Sequence, residues 1–228
     1  MSPPATKERL LDAAELLFAE RGYDATSLRE LTSAAGANLA AVNYHFGSKS
    51  ALFAAVVQRR VGPINAERIE RLDALEARGT PPPRVEELVE ALLAPALLAP
   101  QFDQQRIRSP QEAAFLRLMG RLQSESGEHA EGLHQVFEEV HQRFMPALAR
   151  ALPELSPTEL GWRMFFLIGS MCSALADPNR LAAFHLSPHD REQMLAQLVA
   201  FSAAGLRAPG ASTTPTARED FQALYASE

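Results

Sequence analysis

Cysteine is almost absent from this chain. The single thiol, Cys172 among 228 residues, excludes an intramolecular disulfide framework and any paired-cysteine zinc spacing. In the run MFFLIGSMCSAL it reads as a buried thiol, with a redox sensor as the alternative. No apolar signal region precedes the first helical pattern. The longest apolar stretches, near Leu92–Leu98 and Met164–Leu175, are too short or too interrupted to span a bilayer. The expectation is a cytoplasmic protein with no membrane partner. No alternating strand pattern appears, and despite 16 Pro and 12 Gly the periodic segments are helical. Glycine-rich phosphate loop, nucleophile elbow and catalytic constellation are all missing, so the chain reads as neither an enzyme nor a cofactor binder.

What is present concentrates in Ser27 to Lys49, SLRELTSAAGANLAAVNYHFGSK. Thr26 or Ser27 can cap a helix beginning at Leu28, and Glu30, three positions after Ser27, completes a capping box. Leu28, Leu31, Ala34 and Ala35 share one helical face. Gly36 ends this helix, because glycine takes positive φ without steric cost. Asn38 can cap a second helix, about Leu39 to Phe46. Gly47 ends it, and Ser48 can cap a third. Two short helices joined by about three residues with a glycine are the pattern of a helix-turn-helix, whose second helix enters the major groove.

The second helix carries a surface suited to that task. Ala40 and Ala41 allow close approach. Asn43 can bond base edges or phosphates, and Tyr44 and His45 carry polar tips for phosphate oxygens. Lys49, at the start of the next helix, can attract a further phosphate. The plainer reading makes the aromatics core residues and Lys49 a solvated charge; Phe46 fits it best, because so short a helix must bury something.

Residues 6 to 54 resemble the N-terminal domain of the TetR family of bacterial transcription repressors. The resemblance rests on Leu10-Leu11-Asp12-Ala13-Ala14 and on LFAERGYDATSLRELTSAAGANLAAVNYHFGSKSALF. Its specific part pairs Arg21-Gly22-Tyr23 with Tyr44-His45-Phe46, Lys49 and Leu52-Phe53. It implies an all-α protein, with a three-helix DNA-binding domain on a helical ligand-binding and dimerisation domain. It also implies operator contacts from Thr26, Ser27, Arg29, Ala40, Ala41, Asn43, Tyr44, His45 and Lys49. Asn43 departs from the family, where tyrosine or leucine is common, which leaves the base preference there open. The division expected is residues 1–50 for DNA, 51–207 for ligand and dimer, and 208–228 as a loose tail.

The net charge of −6 runs against nucleic-acid binding as a whole. Between Ser27 and Arg60, however, the basic residues are Arg29, Lys49, Arg59 and Arg60 and the only acid is Glu30, leaving three positive charges. Glu8, Asp12, Glu15 and Glu20 are assigned away from the reading helix. So few phosphate contacts per chain favour a homodimer on two half-sites.

Beyond the reading unit the pattern predicts a long helix over 48–78, kinked at Gly62-Pro63, and a second from Arg84 to Leu98, broken by Pro95. A polar connector over 101–110 leads to a helix over 112–125, then one from Ala130 to Ala151. Ser156-Pro157 opens a helix to Ala176, and Ser187-Pro188 opens another to Leu206. The helix from Thr158 has apolar residues on nearly every face, so it is buried in one chain or partly against a second copy. By the family resemblance, helices 156–176 and 188–206 form the dimer interface.

Two Glu-x-x-His spacings, Glu131–His134 and Glu138–His141, suggest metal at first sight. Both lie on one helix about 10 Å apart and cannot share a cluster. They read as a polar stripe, and His185 and His189 carry still less signal.

FLRLMGR (115–121) and FMPALARALPELSPTELGWRMFFLIGSM (144–171), with Ala40–Phe46, resemble the PsrA-type subgroup of TetR regulators. That resemblance implies repression of fatty-acid metabolism genes, with a long-chain fatty acid or its acyl-CoA as inducer. Leu92, Leu93, Phe115, Met119, Phe137, His141, Phe144, Trp162, Phe165 and Phe166 are the candidates for lining an apolar tunnel. Arg106, Arg108, Arg117 and Arg121 are the candidate cations for an acidic ligand. The rival readings are a regulator answering another apolar compound or activating, and a helical interaction protein that does not bind DNA.

Overall fold

The structure, a computed structural model, describes residues 5–100, 118, 129–176, 183–187 and 190–210. Among these the regular elements are all helical: α1 (Thr6–Arg21), α2 (Leu28–Ala34), α3 (Leu39–His45), α4 (Lys49–Glu76), α5 (Val85–Leu97), α6 (His129–Ala151), α7 (Pro157–Ala176) and α8 (Arg191–Arg207). The connector over 101–110, most of the helix expected over 112–125, Arg106, Arg108, Arg117, Arg121, Phe115, Met119, His189 and the tail beyond 210 lie outside the described residues.

Side-chain caps set most of the helix starts. Ser27, Asn38 and Ser48 each accept the backbone N–H three residues on, at 3.2, 2.9 and 3.0 Å. Ser156 does the same for Glu159 at 3.3 Å, with Pro157 in the first helical position. The start of α8 differs from expectation. Asp190, whose carboxylate accepts from Gln193 N–H at 3.0 Å, caps it, and the helix begins at Arg191 rather than at Pro188.

The proline breaks also differ. α4 runs without interruption through Pro63 and α5 through Pro95. Proline removes one N–H and crowds one carbonyl, but tertiary packing on both sides holds each helix across the defect. Pro95 itself is buried among the apolar residues of α5.

Two hydrophobic clusters organise the molecule. The first gathers Leu10, Ala14, Phe18, Tyr23, Leu31, Val42, Leu52, Phe53, Val56, Val57 and Val61, together with Leu118 and Val136. The second begins at Ile64 and joins the apolar faces of α4 to α8, including Leu88, Leu92, Leu93, Leu97, Phe144, Leu148, Leu160 and Leu167. α4 therefore serves both cores, and its side chains pass from one to the other between Val61 and Ile64. A 28-residue helix is about 42 Å long, enough to bridge the two. Among the described residues no helix is long and apolar enough to cross a membrane.

Candidate nucleic-acid interface

The turn between α2 and α3 is fixed from three directions. Gly36 sits at φ 57°, a conformation that residues with a Cβ rarely take. Asn38 caps α3 as described above. Arg9 of α1 donates from Nε to Ala35 O at 3.0 Å, tying the turn to the first helix. Nothing in the spacing of the motif signals this last contact.

α2 is anchored through its first turn. Glu30 accepts from Ser27 N–H at 2.9 Å and pairs with Arg21 at the end of α1 at 2.6 Å. The bond from the Ser27 backbone, then that from its side chain, then the Arg21 charge hold the Glu30 carboxyl below the usual carboxylate range.

α3 turns one face inward and presents the rest. Val42 is fully buried, and Phe46 packs half-buried against the same core. At about 100° per residue, Ala40 and Tyr44 then point opposite Val42, with Asn43 beside them. Ala40 and Asn43 are exposed, and Tyr44 is 85% exposed. A phenol so open to water gains little from folding, so its place is set by something other than the core. His45 is half-buried, its ring 5.0 Å from that of Tyr44. Ser27 and Arg29 on α2 are exposed on the chain that leads into this face, and Ala41 is half-buried.

Two of the expected contact residues have structural duties. Thr26 is buried, and its hydroxyl donates to Gly22 O at 2.7 Å, so the side chain is an internal anchor rather than a surface group. Lys49 lies with its ammonium 4.2 Å from the centre of the Tyr23 ring, a cation–π contact. Tyr23 in turn packs edge-on against Phe53 at 5.2 Å, and Phe53 against Phe18 at 5.0 Å. The sequence pairing of the Arg21-Gly22-Tyr23 turn with Lys49 is thus a physical contact that positions the charge.

The charge reading needs correction. Arg59 and Arg60 do not add to a basic tip. Arg59 pairs with Asp12 at 2.7 Å and with Glu15, while Arg60 reaches Glu15 at 2.9 Å. Burial lowers the Arg59 pKa, yet the bonds to Asp12 and Glu15 outweigh it and raise it. Over residues 5–60 seven basic residues face six acidic ones, so the reading unit is close to neutral. The positive charges left near the α3 surface are Arg29 and Lys49. Linear spacing could not reveal this, because α1 lies along α4 only in the folded chain.

The described residues among those assigned to an apolar tunnel lie in three settings. Leu92, Leu93 and Phe144 are buried in the second core. Phe137 and His141 are exposed on α6. Trp162, Phe165 and Phe166 are 60%, 67% and 61% exposed and pack on one another, Trp162 stacked on Phe166 and the other pairs edge-on, with centroids 5.9 to 6.2 Å apart. The reason is helical register. With Leu160, Leu167 and Met171 facing the core, the three aromatics fall on the opposite side of α7. No cluster of three or more metal-ligating side chains occurs among the described residues, and the side chain of Glu131 lies outside them.

A capped helix-turn-helix with an exposed second helix, joined by one long helix to a separate helical core, is the architecture of helix-turn-helix regulators. The comparisons agree. Residues 10–56 match the family described as bacterial regulatory proteins, tetR family, and residues 95–205 match the tetracyclin repressor-like C-terminal domain. The chain belongs to the TetR family. The HTH-type transcriptional repressor Rv1474c of Mycobacterium tuberculosis is 36% identical over 32% of this chain and 35% of that protein. The chain spans about a quarter to a half of the length of the curated relatives it matches. The fold also resembles the fatty acid degradation regulator FadR of Bacillus halodurans, with TM-score 0.55 and 14% identity over 92% of this chain and all of that one. A transcriptional regulator FadR from Bacillus subtilis, in complex with stearoyl-CoA, superposes with TM-score 0.54 and 10% identity over 87% of this chain and 98% of that chain.

Proposed function

We propose that this protein is a dimeric, effector-responsive repressor of transcription, acting in the cytoplasm on double-stranded operator DNA. The observation that carries the reading is the outward face of α3, where Ala40, Asn43 and Tyr44 stand opposite the buried Val42 on a helix capped at its start. Ser27, Arg29, Ala41, His45 and Lys49 complete the contact surface, and Thr26 holds the entry to α2 from inside. The division proposed is a reading domain over residues 1–50, an effector and dimer domain over 51–207, and a tail over 208–228.

The dimer forms through α7 and α8. Trp162, Phe165, Phe166 and, on α8, Phe201 are large apolar side chains left facing water in one chain, which a second copy would cover. Gly169 lies on the same side of α7, and a Cβ added there meets nothing within 4 Å of its own chain. Its smallness serves a closely approaching partner helix better than it serves the monomer.

The effector is a small apolar molecule that binds the C-terminal domain and moves α4, widening the separation of the two reading helices. A fatty acid or its CoA ester is the first class to test. The PsrA-type motifs suggest it, and two proteins of similar fold are a fatty acid degradation regulator and a regulator in complex with stearoyl-CoA. The test is a gel shift of the full chain on its own upstream DNA, titrated with long-chain fatty acids and their CoA thioesters. Release by an acyl compound supports the whole reading. DNA binding that ignores every acyl compound keeps the repressor and removes the ligand class. Failure to bind any upstream DNA overturns the repressor.

A further inference from the structure

Arg68 is the least expected side chain in the second core. It lies in the middle of α4, is 3% exposed, and makes no salt bridge with a described carboxylate; the acidic group whose charge reaches it is the Cys172 thiol of α7. Its Nε donates to Leu92 O of α5 at 2.8 Å. One terminal nitrogen donates to Asn65 Oδ1 at 2.9 Å, the other to the weak acceptor Met171 Sδ of α7 at 3.6 Å. Asn65, also buried, donates to Val136 O of α6 at 2.8 Å. Four helices therefore meet on one polar knot inside an otherwise apolar cluster.

A guanidinium has five N–H donors and is almost never buried without a carboxylate. Here three are used, one of them on sulfur, and each terminal nitrogen keeps one N–H without a partner among the described residues. Stitching α4 to α5 does not require this: a neutral glutamine could donate to Leu92 O without carrying charge into the core. Burial pulls the Arg68 pKa down to about 10, so the group is still a cation at neutral pH. A buried cation faced by a weakly acidic thiol and no carboxylate lacks the partner that burial of a guanidinium calls for. Two free N–H groups, one on each terminal nitrogen, are the donor set that binds a carboxylate in bidentate fashion.

We infer that Arg68, backed by Asn65, receives the free carboxylate of the effector, which is an apolar acid and not its CoA ester or amide. The carboxylate takes those two remaining N–H groups, and Met171 Sδ, a flexible and weakly held partner, gives way beside it. Because Arg68 and Asn65 are on α4 and their other partners on α5 and α6, filling the knot acts directly on the helix that carries the reading unit. This inference rests on the effector reading above and narrows it. It also supplies a cation different from the arginines of 106–121 that composition suggests.

The experiment measures binding of laurate, dodecanamide and lauroyl-CoA to the full chain by calorimetry, with release from upstream DNA as second readout. The expected result is laurate binding roughly tenfold to a hundredfold tighter than dodecanamide, the range for hydrogen bonds to a charged group. In Arg68→Gln that margin shrinks to within about threefold, while DNA binding without ligand persists. Arg68→Lys, which keeps the charge and loses the fork, retains part of the margin. The acid–amide comparison on the unaltered protein decides the matter even if a variant fails to fold. Equal binding of acid and amide, or tighter binding of lauroyl-CoA than of laurate, overturns the role of Arg68 and leaves the acyl effector standing. No binding of any of the three overturns both.

Discussion

Glu15 of α1 is wholly buried, and Arg60 of α4 donates to it at 2.9 Å across a sequence separation of 45 residues. Arg59, next in the chain, closes on the other carboxylate oxygen of the same residue. One acid thus fastens the first helix to the helix that leads into the second core, and both should move together. Replacing Glu15 by alanine removes the buried acid that both half-buried arginines share, while Arg59 keeps its pair with Asp12. The expected loss is about 2–3 kcal/mol, at the low end for a broken buried pair because the arginines can turn toward water. Urea unfolding of the variant checks it; a midpoint equal to that of the unaltered protein would show that the lock contributes nothing.

Tyr44 and Lys49 separate reading from folding. Tyr44→Ala removes a side chain that is 85% exposed, so stability should stay within about 0.5 kcal/mol. DNA affinity should fall by about tenfold or more, the scale of one good polar contact. Lys49→Ala should weaken binding evenly across sequences and lower the salt slope by about one per half-site. A folded Tyr44→Ala, Lys49→Ala double variant that binds upstream DNA normally would favour a helical interaction protein that does not use this surface.

Thr26 should behave in the opposite way. Its hydroxyl bonds the Gly22 carbonyl inside the fold. Thr26→Val keeps the shape, removes the donor and leaves that carbonyl unpaired, at a cost of about 1–3 kcal/mol. Thermal melting should report the loss, and DNA affinity at a temperature where the variant is folded should change little.

The aromatic face of α7 should govern assembly. Phe166→Glu introduces a charge into a surface expected to be covered by a second copy. Light scattering after size exclusion should show monomer, and operator affinity should collapse because the second half-site is lost. A dimer of unchanged stability would place the interface elsewhere.

Glu86 and Arg207 tie α5 to the end of α8. The side-chain bond from Arg207, more than any other contact, lowers the Glu86 pKa from 4.5 to about 2. A carboxylate with a depressed folded pKa stabilises above its unfolded value and stops doing so as pH falls through the folded one. The contribution should therefore be full above about pH 4.5 and gone near pH 2. Both groups are more than a third exposed, so solvent screening holds it below about 1 kcal/mol. Melting curves of the unaltered protein and Glu86→Gln should differ at pH 6 and coincide near pH 2, and a gap that persists at low pH would rule the pair out as its source.

Local chemistry made much of the reading unit legible. Ser27 with Glu30, Asn38, Ser48, and Ser156 with Pro157 act through neighbours three residues away or fewer, and such contacts are written in the order of the residues. The same holds for the exposure of Ala40, Asn43 and Tyr44 once Val42 is taken as the inward position of α3. Pro63 and Pro95 show the limit. Each weakens its helix locally, and only packing from other helices decides that the helix continues.

What remained was decided by approach over long distances. Arg59 and Arg60 look basic in sequence, yet α1 supplies their acids, and the charge of the reading unit drops accordingly. Trp162, Phe165 and Phe166 look like core until the register of α7, set by Leu160, Leu167 and Met171, turns them outward. Arg68 carries no signal in the chain, because its meaning lies in the helices that enclose it. The sequence by itself determined the helical class, the caps at Ser27, Asn38, Ser48 and Ser156, and the family. The tertiary structure alone decided which charges are cancelled, which aromatics face water and which cation is buried, since each depends on neighbours tens of residues away.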